Sequence, residues 1–156
     1  MVVGERGRIL LSKDYGKSWH EISNPAKNSL LSVSFNDKGE LVAVGIDEGV
    51  YVSRNNGVTW SPRQLDFVLD LQVKAEQKKA RTHLLHVFWS GDQWIASGTN
   101  GVIAHSADGQ LWTGKRLDSK DRNWYTSAVI NHDQLVLSGS RFFMYPIAKA
   151  FEKNSS

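Results

Sequence analysis

Apolar residues recur at every second position along most of this chain, in runs of four to six that end at glycine, asparagine or aspartate. That period predicts short β-strands joined by tight turns rather than helices. Leu30 to Phe35 reads as one strand, Asn36-Asp37-Lys38-Gly39 as a hairpin turn and Leu41 to Gly45 as the next strand. Ile46-Asp47-Glu48 turns again, Gly49 to Ser53 forms a third strand and Thr59 to Leu65 a fourth. The order returns further on, with strands predicted at Leu84 to Trp89, Gln93 to Ser97, Val102 to His105 and Gln110 to Arg116. The first strand of each set is apolar at nearly every residue, which predicts sheets covered on both faces.

The third and fourth strands are joined by a turn that the chain uses three times. Its copies are Ser12-Lys13-Asp14-Tyr15-Gly16-Lys17-Ser18-Trp19, Ser53-Arg54-Asn55-Asn56-Gly57-Val58-Thr59-Trp60 and, one residue shorter, Ser106-Ala107-Asp108-Gly109-Gln110-Leu111-Trp112. An Asp or Asn side chain fixes a bend by accepting backbone N–H bonds ahead of it. Gly supplies a positive φ, and Trp opens the next strand with a large apolar anchor. Upstream, Val2-Val3-Gly4, Val42-Ala43-Val44-Gly45 and Ile95-Ala96-Ser97-Gly98 each close an apolar run eight residues before the serine. A fourth run, Leu135-Val136-Leu137-Ser138-Gly139, has Ile147 at that distance, so the fourth turn is missing. Internal repeats of about 40 residues with four strands each predict an all-β fold, a partial β-propeller of about three to four four-stranded antiparallel blades.

The blades fall at about 1–22, 29–66, 83–117 and 123–147, within one domain spanning 1–147, with a tail at 148–156 that has room for one helical turn. The first unit begins at its second strand. The last has two clear strands, Tyr125 to Ile130 and Gln134 to Ser138, with Arg141 to Ile147 a candidate third. Turn serines are 41 residues apart from Ser12 to Ser53 but 53 apart from Ser53 to Ser106. The surplus is an insertion at 66–82, in which Phe67, Leu69, Leu71 and Val73 alternate as in a strand, followed by the polar stretch Lys74 to Arg81.

Composition changes this picture little. The 156 residues suffice for one sizeable core, and 13 Gly against 3 Pro suit many short strands. Zero Cys excludes disulfides and thiolate metal sites and leaves the compartment unknown. A formal net charge of +3 is too mild to imply nucleic acid. The N-terminus has no basic start followed by an apolar stretch, so no signal peptide is visible. No apolar run approaches the roughly 20 residues of a membrane span. The expectation is a soluble chain, cytoplasmic as it stands and periplasmic or extracellular if it is part of an exported protein.

The stretch Val3-Gly4-Glu5-Arg6-Gly7-Arg8-Ile9-Leu10-Leu11-Ser12-Lys13-Asp14-Tyr15-Gly16-Lys17-Ser18-Trp19 resembles the BNR, or Asp-box, repeats of the sialidase-like superfamily of propellers. It is most similar to the photosystem II stability and assembly factor (Ycf48-like) branch. The resemblance covers most of residues 2–139. It implies that Ser12, Asp14, Gly16, Trp19, Ser53, Asn55, Gly57, Trp60, Ser106, Asp108, Gly109 and Trp112 are structural box residues at the blade periphery. Asn55 replaces the usual Asp, and the third turn is one residue short.

No catalytic set accompanies the repeat. Sialidase chemistry requires an arginine cluster and a Tyr nucleophile with an acidic partner. The eight arginines are scattered, and neither they nor Tyr125 and Tyr145 fall in the sialidase arginine-containing motif. His83 and His86 sit at an odd spacing that puts them on opposite strand faces, which argues against a shared metal. His20, His105 and His132 read as surface or strand-edge residues, and Gly4-Glu5-Arg6-Gly7 lacks the following helix of a phosphate loop. Trp89, Trp94, Trp124 and Tyr125 are expected in packing between blades. No cofactor or metal site is expected.

The sequence thus predicts a non-enzymatic binding or scaffold module that binds protein, in the manner of an assembly factor. The alternative is a glycan-binding module or a sialidase-like glycoside hydrolase fragment. Lys74, Lys78, Lys79 and Arg81 in the insertion are candidate contacts to a protein partner. The chain's two broken end units also suggest self-association. A first unit holding later strands and a last unit holding two early ones would let two copies join head to tail into a six-bladed ring; a missing half of a longer chain would cover the same faces.

Overall fold

The structure is a computed structural model that describes residues 1–67, 82–118 and 120–151. Its strands form four sheets, and the chain is a partial β-propeller. The first sheet is β1 (Val2–Val3), β2 (Ile9–Leu11) and β3 (His20–Glu21). The second is β4 (Leu30–Phe35), β5 (Leu41–Gly45), β6 (Val50–Ser53) and β7 (Ser61–Arg63). After β8 (Leu65–Phe67) comes the third, built from β9 (Leu84–Trp89), β10 (Trp94–Gly98), β11 (Val102–Ser106) and β12 (Trp112–Arg116). The fourth is β13 (Tyr125–Asn131), β14 (Gln134–Gly139) and β15 (Phe143–Pro146), followed by the short helix α1 (Ile147–Phe151). Among the described residues no helix is long and apolar enough to cross a membrane.

Strand alternation decides which blade each side chain meets. Val42, Val44, Val50 and Val52 on one face of the second blade pack with Trp94, Ala96, Val102, Ala104 and Trp112 of the third. On the opposite face, Leu30, Leu41, Ala43 and Trp60 pack with Ile9 of the first. Ile95 and Ile103 of the third blade meet Tyr125, Ala128, Leu135 and Leu137 of the fourth. Each buried Val, Leu or Ile among them contributes about 1.5–3 kcal/mol through burial. Complete burial falls on the second strands, β5 and β10, rather than on the first strands. β4 leaves Leu31 45% and Phe35 73% exposed.

The recurring glycine has a tertiary explanation. A Cβ on Gly45, Gly98 or Gly139 would lie 2.1, 2.1 or 2.2 Å from the carbonyl oxygen of Ser29, His83 or Trp124, respectively. That carbonyl belongs to the residue entering the blade's first strand. In all three sheets the first strand carries a bulge at this place, with one residue skipped after Leu30, Leu84 and Tyr125. Only a residue without Cβ admits the crossing.

Three expectations change. Thr59 to Leu65 is not one strand: β7 ends at Arg63, and Leu65–Phe67 crosses to the third blade, where it pairs parallel with β12. The cause is local packing, since Gly114 leaves its face bare and Leu65 and Phe67 lie over it. The fourth unit has a real third strand, because β15 pairs with β14 at four positions. A junction of two such ends would hold six strands, three from each, so two copies stacked head to tail would make eight sheets rather than six blades. Finally, Trp124 precedes β13 and is 56% exposed rather than packed between blades. Trp94 and Tyr125 are buried, and Trp89 lies against Trp94 at 5.1 Å. The tail does start with one helical turn, α1, which Lys115 Nζ secures by donating to the Lys149 carbonyl. Residues 68–81, which hold Lys74, Lys78, Lys79, Arg81 and most of the predicted insertion, lie outside the described residues, as do 152–156.

Candidate functional site

The box turns were the strongest chemical signal in the chain, and their polar groups are spent within the turns themselves. In the first, Ser12 Oγ donates to Asp14 Oδ1 at 2.8 Å and accepts the Gly16 N–H at 2.7 Å. Asp14 Oδ1 accepts the Ser18 N–H at 2.9 Å, and Oδ2 accepts the Ser18 hydroxyl at 2.6 Å. The second turn keeps this scheme with an amide. Asn55 Oδ1 accepts the Thr59 N–H at 2.9 Å, while its Nδ2 donates to the Thr59 hydroxyl at 2.9 Å. Asn therefore replaces Asp by reversing the direction of one bond. Ser53 Oγ donates to Asn55 Oδ1 and accepts the Gly57 N–H, at 3.0 and 2.9 Å. In the shortened third turn, Gly109 donates to Ser106 Oγ at 2.9 Å, and Asp108 Oδ1 accepts from Gln110 and Leu111 at 2.7 and 3.1 Å.

Each tryptophan belongs to its turn as much as to the next strand. The indole Nε1 of Trp19, Trp60 and Trp112 donates to the carbonyl of Gly16, Gly57 and Gly109 at 3.1, 3.0 and 3.1 Å. This bond fixes each ring on the side of the preceding blade. The second and third rings are covered there: Trp60 is 7% and Trp112 1% exposed. Trp19 lies in the first described blade, against which no other described blade packs on that side, and is 43% exposed. Val2 in β1 is 45% exposed. At the other end of the stack, Val129 and Met144 on the outward face of the fourth blade are 54% and 48% exposed. The two end faces are thus apolar surfaces of the kind that lie between blades elsewhere in the chain.

The Asp14 carboxyl is held well below the usual carboxylate range, at about 2, chiefly by the Ser18 hydroxyl and then by the Ser18 and Ser12 donors. Asp108 is shifted the same way by the Gln110 and Leu111 amides. A carboxyl depressed in the folded state contributes stability above its unfolded value of about 4. That contribution disappears as pH falls through the folded value. The first turn should therefore loosen between about pH 4 and pH 2, whereas the second, closed by Asn55, should not. Amide NMR shifts of Ser18 and Thr59 across that range check this; a matching titration at Thr59 would contradict it.

One polar knot was not expected from the sequence. Asp121 is 5% exposed, between the third and fourth blades. Its carboxylate accepts from the Asn123 N–H at 2.8 Å, Tyr125 Oη at 2.8 Å and Arg141 Nη2 at 3.1 Å. Burial pushes the Asp121 carboxyl up, and the Asn123, Tyr125 and Arg141 donors more than offset it, so its pKa lies below the usual value. Arg141 also lies 4.6 Å over the Phe143 ring. A Cβ on Gly101 would press on Asp121 at 2.7 Å, which ties the knot to the third blade. The only sequence cue was the Asp121-x-Asn123 turn ahead of β13.

The other candidates do not converge. Arg8 pairs with Glu21 at 3.4 Å and Arg54 with Glu40 at 3.5 Å, while Arg54 also reaches the Asp108 carbonyl. Arg116 is lowered by burial and then by neighbouring Arg122. His83 Nδ1 accepts the Asp47 N–H at 3.0 Å, and His86 stacks on Phe88 at 5.9 Å. His105 lies against Phe151 at 4.7 Å, with its pKa lowered by burial and then by Lys115. Among the described residues, no group of three or more His, Asp or Glu has the arrangement of a metal site.

Comparison with known proteins agrees with this geometry. Residues 51–62 match the BNR/Asp-box repeat. The fold matches a solved structure described as YCF48 bound to D1 peptide, with a TM-score of 0.64 and 24% identity, covering 88% of this chain and 43% of that one. It also matches YCF48 from Cyanidioschyzon merolae, with a TM-score of 0.63 and 18% identity over 92% of this chain and 48% of that one. In sequence, 79% of the chain is 31% identical over 127 residues to a prolyl endopeptidase of Elizabethkingia meningoseptica, of which it covers 16%. The chain therefore spans under half of these solved propellers and a small part of the peptidase.

Proposed function

We propose that this chain, a carrier of BNR/Asp-box repeats on a partial β-propeller, is a non-enzymatic scaffold that binds protein. The observation that carries the reading is the exposure of Trp19 on an end face where its two counterparts are buried by a neighbouring blade. Apolar faces of that kind are covered by other protein surfaces. The similarity to a propeller described as bound to a peptide supports a polypeptide partner over a small molecule. The box carboxylates support a non-catalytic role, because Asp14 and Asp108 both accept hydrogen bonds from donors of their own turns.

The first partner is a second copy, set head to tail. The outward face of the fourth blade, with Val129 and Met144, would take the place of a preceding blade against Val2 and Trp19 of the other copy, at two equivalent junctions. Static light scattering is expected to give twice the 17.5 kDa chain mass, and Trp19→Glu is expected to return it to the single-chain mass. A folded monomer at micromolar concentration would remove the self-association. Hydrolysis of a fluorogenic sialoside, abolished by substitution of a chain residue, would overturn the non-enzymatic reading.

A further inference from the structure

The second and third blades share one contact that the repeat does not require. In both blades the turn after the second strand leans on the strand entry of the blade that follows. Glu48 N–H donates to the Thr82 carbonyl at 2.9 Å, and Gly101 N–H donates to the Asn123 carbonyl at 2.8 Å. One residue earlier the two junctions part. Asp47 N–H donates at 3.0 Å to Nδ1 of His83, the residue entering the third blade. Trp124 holds the corresponding place at the fourth blade, and an indole offers no acceptor atom.

The two turns share a shape and differ in residues. Gly49 N–H closes the β5–β6 turn on the Ile46 carbonyl at 3.2 Å, and Val102 N–H closes the β10–β11 turn on the Thr99 carbonyl at 3.2 Å. The latter holds Asn100-Gly101 at φ of 59° and 67°, the pair that a left-handed turn favours. The former puts Asp47 and Glu48 at φ of 55° and 60°, where a Cβ costs conformational energy. Strain of that kind gathers at switch regions. The same turn crowds two carboxylates: burial, and then the Asp47 charge, push the Glu48 carboxyl up. The backbone of His83, by contrast, is fixed. Its N–H donates to Thr99 Oγ1 at 3.0 Å, and its carbonyl accepts the Thr99 N–H at 2.9 Å. The imidazole is the part left to turn.

We propose that His83 is a proton-operated switch at the junction of the second and third blades. A neutral imidazole accepts at one nitrogen, whereas an imidazolium donates at both. The bond from Asp47 N–H therefore exists only while Nδ1 carries no proton. A protonated Nδ1 would point its own hydrogen at the amide hydrogen, and the contact would turn repulsive. The Asp47 carboxylate is the acceptor at hand, with Oδ1 4.0 Å from Nδ1. The ring then turns from the amide to the carboxylate, and the strained turn keeps the Glu48 amide as its link to the third blade. Histidine makes this change of charge between about pH 5 and pH 8. Among the described residues, the titratable groups facing it are Asp47 and Glu48, both from the β5–β6 turn. Asn28, which donates to Asp47 Oδ2 at 3.2 Å, and Thr99 and Asn100 of the β10–β11 turn carry no charge. The switch lies inside the stack and does not rest on the protein-binding reading above.

Two NMR measurements on the ¹⁵N-labelled protein test this. At about pH 8 the ring nitrogens of His83 should report the tautomer protonated at Nε2. Between about pH 8 and pH 5 the hydrogen-exchange protection of the Asp47 amide should fall roughly tenfold, while Glu48 and Gly101, bonded to carbonyls, change by less than about twofold. His83→Asn supplies the control. Its Oδ1 can accept where Nδ1 does and takes up no proton in this range, so Asp47 should stay protected throughout. A tautomer protonated at Nδ1, or constant protection of Asp47 in the parent chain, would overturn the proposal, and both are read without the variant. An equal loss of protection in His83→Asn would overturn it too, by assigning the change to the Glu48 carboxyl.

Discussion

Trp112→Ala is expected to be the most damaging of the three box-tryptophan substitutions, and Trp19→Ala the mildest. Trp112 is 1% exposed and packs with Val44, Val50 and Val52 of the preceding blade. Truncating a buried Trp costs about 3–5 kcal/mol through lost transfer energy and a residual cavity. For a chain of this size each kcal/mol moves the melting temperature by about 2–4 °C, so the expected fall is about 6–20 °C. Trp19 makes the same hydrogen bond to its glycine carbonyl but leaves 43% of its surface in water. Its loss should cost about 2 kcal/mol in the free monomer, with Trp60 close to Trp112. Thermal denaturation of the three variants checks the order. If the turns alone set the cost, the three would be equal. If Trp19 lies against a second copy, its loss would become large at concentrations where the light-scattering mass doubles.

Gly98→Ala should also be clearly destabilising, although it adds a single methyl group. That methyl would stand 2.1 Å from the His83 carbonyl oxygen and 3.0 Å from its carbon. Both atoms belong to backbone, which also holds the Thr99 N–H at 2.9 Å, so neither can swing aside as a side-chain tip would. Overpacking of this kind costs about 1–3 kcal/mol, a fall of about 2–12 °C if the strand entry shifts. Gly45→Ala and Gly139→Ala should behave alike, for their clashes are the same. Gly4→Ala is the internal control and should melt as the parent chain does. A Gly4→Ala variant that melts as low as Gly98→Ala would show that the glycine serves local conformation rather than the strand crossing.

The sequence by itself determined the architecture, because every blade repeats one local code. Strands follow from the period of two, and the turns follow from Ser, Asp or Asn, and Gly at fixed offsets. Those interactions close within eight residues, as the bonds from Asp14 to Ser18 illustrate, so local spacing suffices to read them. The box residues were legible for the same reason, including the substitution at Asn55 and the shortening at Asp108.

What tertiary structure decided involves partners distant in sequence. Leu65–Phe67 joins the third blade over Gly114, 47 residues beyond Phe67, and no local pattern announces a parallel pairing across that distance. Asp121 finds Arg141 across a blade, and the Trp side chains of identical turns differ from 1% to 43% exposure only because of what stands before them. The closing glycine was visible in sequence as a repeated letter, and its purpose was not. The purpose lies in a carbonyl brought close by strand pairing, present at Gly45, Gly98 and Gly139 and absent at Gly4. A repeat writes the same residues into every blade, whereas burial depends on neighbours, and the two blades at the ends of the stack have a neighbour on one side only.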